Sequence, residues 1–281
     1  MTSVSGETRL TYAVRYLICA IMVLVIAVPL YISIMGGFKS MGQLRAEPVG
    51  LPHPWYADQY AAMLSGKLGS FWRELSNSLI VGLGTVAVVA VVGTFAGYAL
   101  GRLRFRLNGL LYGYFQLGLL FPLAVAILPL YLELRGLHLL DTRIGVILPQ
   151  AAFGLAMMIM LLRGFFKAIP NEMEEAAAID GYGTFGFLFR IVVPLSTPIL
   201  ATVSVLTLVS SWNNFFTPLL VLNSQKRFTL PLGVMDFMGE HAADWNMILA
   251  FLTLAMVPAV LIYVLCQRYI VAGLAAGAIK G

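Results

Sequence analysis

Residues 171–198 read N-E-M-E-E-A-A-A-I-D-G-Y-G-T-F-G-F-L-F-R-I-V-V-P-L-S-T-P, a polar, acidic, glycine-punctuated segment set between long apolar runs. The pattern predicts a short helix, a bend and a second short helix. Pro170 fixes φ and Asn171 offers a side-chain cap, so the pair suits a helix start. Glu172, Glu174 and Glu175 fall in the first turn, where the helix dipole favours negative charge. Ala176, Ala177 and Ala178 are strong helix formers, and Gly181 or Gly183 can end the helix in the left-handed region. The second piece runs from Thr184 to Val193 and stops at Pro194. The glycines also spell Gly181-x-Gly183-x-x-Gly186, a dinucleotide fingerprint. That motif needs a strand before its first glycine, and an alanine-rich helix precedes this one, so the nucleotide reading fails.

Composition sets the environment. Sixty per cent of the 281 residues are apolar and 11% are charged, which places the chain among integral membrane proteins. The net charge of +5 therefore points to cytoplasmic loops and anionic lipid rather than to nucleic acid. Cys19 and Cys266 lie in apolar runs far apart, and His53, His138 and His241 are scattered, so neither a disulfide framework nor a metal site is indicated. The chain contains no phosphate loop, no H-E-x-x-H and no G-x-S-x-G elbow. No catalytic role is expected, and any nucleotide that drives the protein must be bound by another chain.

Hydropathy predicts an all-α membrane protein with six spans: residues 17–35, 79–100, 110–132, 144–162, 195–222 and 248–265. Residues 1–16 form an N-terminal segment, 17–265 the membrane domain and 266–281 a tail. The second span carries Gly93-x-x-x-Gly97-x-x-x-Gly101, a small-residue face that lets helices approach closely. Pro122 and Pro129 kink the third. The fifth holds Ser210, Asn213 and Asn214 at a depth where polar groups are costly. With Gln116 they are candidates to line a translocation path and hydrogen-bond a polyhydroxylated solute; the competing reading is amide glue between helices. With an even span count both termini share a side with the Arg102–Arg106 connector, whose arginines favour the cytoplasm.

The opening segment resembles the EAA loop of the integral membrane subunits of bacterial ABC importers. The matching positions are Glu175, Ala176, Ala177, Gly181, Ile191 and Pro194, with Val193 where leucine is usual. Further matches in order along the chain make the resemblance one to carbohydrate-type permeases similar to the inner-membrane maltose permease pair. They are Asn77-Ser78-Leu79, Pro122 with Pro129-Leu130-Tyr131, and Trp212-Asn213-Asn214-Phe215 with Asn214 in place of an acid. The C-terminal Gly273-Leu274-x-x-Gly277-Ala278-x-Lys280-Gly281 completes the set. Tyr182 departs from the usual small residue.

The resemblance implies a type I ABC importer permease fold with a cytoplasmic coupling helix within 170–194, in a bacterial inner membrane. It implies a sister permease, two ATP-binding subunits that hold ATP and Mg, an extracytoplasmic solute-binding protein and a sugar as cargo. Gly273, Gly277 and Lys280 would touch the ATPase. On the coupling helix, Met173, Ala176, Ala177 and Asp180 are expected to share the docking face, Glu175 to pair with an ATPase cation, and Gly181 to supply the bend. Two alternatives stay open: an importer of another polyol such as a glycerol phosphate, and an ion-coupled carrier, although the span interiors are nearly free of ionisable residues.

Overall fold

The computed structural model describes residues 9–239 and 243–278, and every regular element among them is helical. In chain order these are α1 (Arg9–Gly36), α2 (Met41–Ala46), α3 (Asp58–Leu64), α4 (Phe71–Arg102), α5 (Asn108–Gly118), α6 (Leu123–Gly136) and α7 (Arg143–Ala168). Then come α8 (Asn171–Ile179), α9 (Thr184–Phe187), a π-helical turn (Leu188–Val192), α10 (Val193–Leu195), α11 (Thr197–Trp212), α12 (Phe216–Val221), a 3-10 turn (Gln225–Arg227), α13 (Leu230–Gly233), a second 3-10 turn (Val234–Phe237) and α14 (Trp245–Ala278). His241 and Lys280 lie outside the described residues.

Four of the described helices, α1, α4, α7 and α14, are long and apolar enough to cross a membrane unaided. A 32-residue helix such as α4 reaches about 48 Å at 1.5 Å per residue, well beyond a hydrocarbon core of about 30 Å. The expected third and fifth spans are instead each divided. Pro122 lacks an N–H and disfavours helix in the residue before it, so α5 ends in tight turns through Leu119–Phe121 and α6 starts afresh. The fifth breaks after Trp212; Phe215 takes the cap position of α12, and the Asn214 side chain just before it accepts a bond from the Thr217 N–H (3.0 Å). The sixth does not stop at Leu265; α14 continues through Gly273 and Gly277 to Ala278.

The chain forms two compact units. The first comprises residues 1–69 and 234–256. Its polar segment after α1 is folded rather than loose: the Lys39 ammonium is buried and donates to the Glu47 and Pro48 carbonyls, and Ser40 with Gln43 makes a capping box on α2. Gly37 is required here, because a Cβ would meet the Tyr60 hydroxyl and sit 2.8 Å from the Ala250 Cα.

The second unit, residues 70–233 and 257–281, is built on α4 packed along α7 with α11 across both. The glycine stripe of α4 is the contact. A Cβ on Gly97 would lie 2.9 Å from the Leu162 Cβ, and one on Gly101 3.2 Å from the Arg163 carbonyl. Gly97→Val is therefore expected to force the helices apart and cost about 1–3 kcal/mol, read as a lowered unfolding temperature in detergent. At the opposite end of the unit, Asp141 accepts from the Asn223 and Ser224 N–H groups and the Ser224 hydroxyl. Burial alone would raise its pKa, but these bonds and Arg227 hold the carboxyl below its ordinary value. Arg143 donates to the Asn77 side chain, which donates to the Lys226 and Phe228 carbonyls, while Ser78 accepts from the Leu230 N–H. The Asn77-Ser78 pair thus straps down the loop that precedes α13.

Candidate coupling site and cavity

The segment 171–195 folds as two helical pieces bent by 120°. Pro170, not Asn171, occupies the cap position of α8, and no side chain caps it. The far end follows the expectation closely. Gly181 adopts φ +82°, its N–H bonds the Ala178 carbonyl (3.1 Å), and the Tyr182 N–H bonds the Ala177 carbonyl (2.9 Å). That pair of bonds is a Schellman close, the reason the chain turns here instead of continuing as helix. Gly183 takes ordinary negative φ. The second piece does not end at Pro194. Having no N–H to give, Pro194 is accommodated by the preceding π-helical turn, in which the Val193 N–H reaches back to the Leu188 carbonyl.

Ala177 is buried, in one apolar core with Phe166, Phe187, Leu188 and Val192, and Ile191 packs against it. It therefore cannot belong to a docking face. It sits one helical step off the outward side, where Glu175, Ala176, Asp180 and the 87% exposed Ile179 remain. Pro194 is exposed.

Arg102, at the end of α4, holds this segment down. Its guanidinium donates 2.6 Å bonds to the Ile169 carbonyl and to Glu174 and lies over the Phe187 ring. The Arg102 side chain is only 4% exposed, against 40% for Glu174. Sequence reasoning took Arg102 as a marker of sidedness and missed this role, since the partner lies 72 residues away. Glu175 stays exposed, and among the described residues no ion pair engages it.

A cavity of about 410 Å³ opens between α4, α7 and α11. Ser210 and Asn214 line it, as do Thr85, Gln150 and Ser211. Asn213 instead faces Trp212, Ala259 and Tyr263, and Gln116 lies on an apolar groove of α5, so neither joins the other two. Gln150 was not singled out from the sequence, although a lone amide inside an apolar span is the signal that finds it. Its Oε1 accepts from Ser211 (2.5 Å), while its buried Nε2 has no partner. Whichever way the carboxamide is turned, one buried polar atom at the cavity wall is left without a partner among the described residues.

Residues 90–275 match the family model for the binding-protein-dependent transport system inner membrane component. The chain belongs to that family. It is 30% identical over 279 residues to the diacetylchitobiose uptake system permease protein NgcG of Streptomyces coelicolor, covering 98% of this chain and 91% of that one. It is 30% identical over 257 residues to the arabinooligosaccharides transport system permease protein AraQ of Bacillus subtilis, covering 90% of each. The fold matches the crystal structure of a bacterial ABC transporter involved in the import of the acidic polysaccharide alginate, with a TM-score of 0.81 at 23% identity over 96% of this chain and 99% of that one. The protein is thus an integral membrane permease subunit of an ABC importer and not itself an enzyme. Family membership sets aside the ion-coupled carrier.

Proposed function

We propose that this permease carries a sugar or oligosaccharide across a bacterial inner membrane, with both termini in the cytoplasm. A sister permease completes the path, a solute-binding protein delivers the cargo, and two ATP-binding subunits hold ATP and Mg. Support for a carbohydrate comes from the names of relatives such as NgcG and AraQ. The observation that carries the coupling role is α8 itself. It presents Glu175 and Ala176 outward, ends sharply at Gly181, and is fastened by Ala177 and Arg102 to the core of the spanning helices. A push on such a helix moves α4 and α7 with it, which is what a rigid-body switch between outward- and inward-facing states needs.

The cavity of about 410 Å³ falls in the usual range for small-molecule sites, and its polar groups suit hydroxyl-rich solutes. The Ser210, Asn214 and Gln150 side chains are the contacts we assign to the cargo. In an importer whose Cys19 and Cys266 have been replaced, Ser210→Cys and Asn214→Cys are expected to react with a membrane-impermeant thiol reagent and to be protected by transported solute. Gln116→Cys should gain no such protection. Equal behaviour at all three positions would remove the cavity from the path.

A further inference from the structure

A second pocket, of about 330 Å³, lies where α4 and α7 end and α5 begins. Its polar lining is Arg102, Arg104, Asn108, Arg163, Lys167 and Asn171, and among the described residues no carboxylate lines it. Arg102 is occupied by Glu174. Arg163 donates through Nε to the Leu100 carbonyl and stacks on the Tyr112 ring at 3.7 Å, which fixes its guanidinium at the pocket wall. Arg104 and Lys167 are exposed, and no acidic partner is found for either among the described residues. With Arg102 neutralised by Glu174, Arg104, Arg163 and Lys167 remain without an ion-pair partner among the described residues, and like charges gathered at helix ends favour an anion between them.

We propose that this pocket holds the phosphate headgroup of an anionic phospholipid. Two features favour a lipid over a free anion. The cations sit at the ends of helices long and apolar enough to span a membrane, where basic residues meet anionic headgroups. Leu103 lines the pocket and is exposed, as are Leu107, Leu111 and Tyr114 farther along the connector and α5, apolar surface on which acyl chains can lie. Asn108 is tied to the Leu100 and Leu103 carbonyls and keeps the connector folded around the site. The proposal needs only that the chain is embedded in a bilayer, not that its cargo is a sugar.

The test is native mass spectrometry of the assembled importer, released in mild detergent and offered equal phosphatidylglycerol and phosphatidylcholine. The wild type is expected to retain phosphatidylglycerol preferentially. The Arg104→Gln/Lys167→Gln double variant should lose about fivefold of that preference for each cation removed, while Arg104→Lys/Lys167→Arg keeps most of it. Absence of a preference in the wild type, or the same preference in the glutamine variant, would overturn the proposal. So would displacement of the lipid by millimolar inorganic phosphate, which would mark a free-anion site. Loss of the ATP-binding subunits from the glutamine variant with lipid retention unchanged would assign the cations to that partner instead.

Discussion

Arg102→Ala is expected to abolish most solute-stimulated ATP hydrolysis while leaving membrane insertion intact. The guanidinium makes the two shortest bonds between α4 and the segment that follows α7, one to the Ile169 carbonyl and one to Glu174, beside a longer one from the Tyr98 hydroxyl to the Thr184 carbonyl. A charge-assisted bond of this kind contributes about 2 kcal/mol, and the half-exposed Glu174 pair adds little more because solvent screens it. Loss of about 2 kcal/mol shifts a docked-to-undocked equilibrium by roughly thirtyfold, enough to uncouple α8 from the spanning helices. Arg102→Lys restores a charge but not the fork that reaches both partners, so partial recovery is expected. The measurement is ATPase activity of the reconstituted complex with and without loaded binding protein. Full stimulation in Arg102→Ala would mean that Ala177, its apolar neighbours and the Tyr98–Thr184 bond hold the segment without Arg102.

The second large effect is expected at Gly181, and its cause is the backbone rather than crowding. A Cβ there would meet nothing within 4 Å, yet φ is +82°. Side chains differ in how badly they tolerate that region: asparagine enters it at small cost, alanine at about 1 kcal/mol, and a β-branched residue at more. Transport should therefore fall in the order Gly181→Asn, Gly181→Ala, Gly181→Val, with valine opening the Schellman close and swinging α9 away from α8. Equal loss in all variants would point to a contact at Gly181 made by a partner chain rather than to its conformation.

The bend at Gly181 was legible because alanine propensity, a glycine stop and the following pattern all agree over a few residues. The glycine stripe of α4 was legible for the same reason: its spacing repeats on one helix face, and it does pack on Leu162 and Arg163. What depends on distant partners was not. Ala177 falls on the inward side because the position of the core relative to α8 decides which of two adjacent alanines is buried, and no local pattern carries that. The divided spans were only half visible. Pro122 announced a kink, but the break after Trp212 is followed by the Asn214 side chain bonding the first turn of a new helix, and that asparagine reads equally well as a polar residue inside one long span. The same asparagine shows how path and glue overlap, since its Oδ1 accepts the Thr217 N–H in the first turn of α12 while the residue also lines the cavity. Asn213, one position away, faces elsewhere, so adjacency in sequence says little about who shares a cavity.

The central claim is that α8 couples this permease to ATP-binding subunits through its exposed acidic face. Glu175 tests it most directly, because its carboxylate is exposed and, among the described residues, enters no ion pair that a substitution would break. In liposomes holding the complete importer, Glu175→Lys is predicted to cut solute-stimulated ATPase activity by about tenfold or more, the effect of losing roughly 1.4 kcal/mol at the contact. The chain should remain inserted at normal levels. Undiminished stimulation in the Glu175→Lys complex would contradict the account.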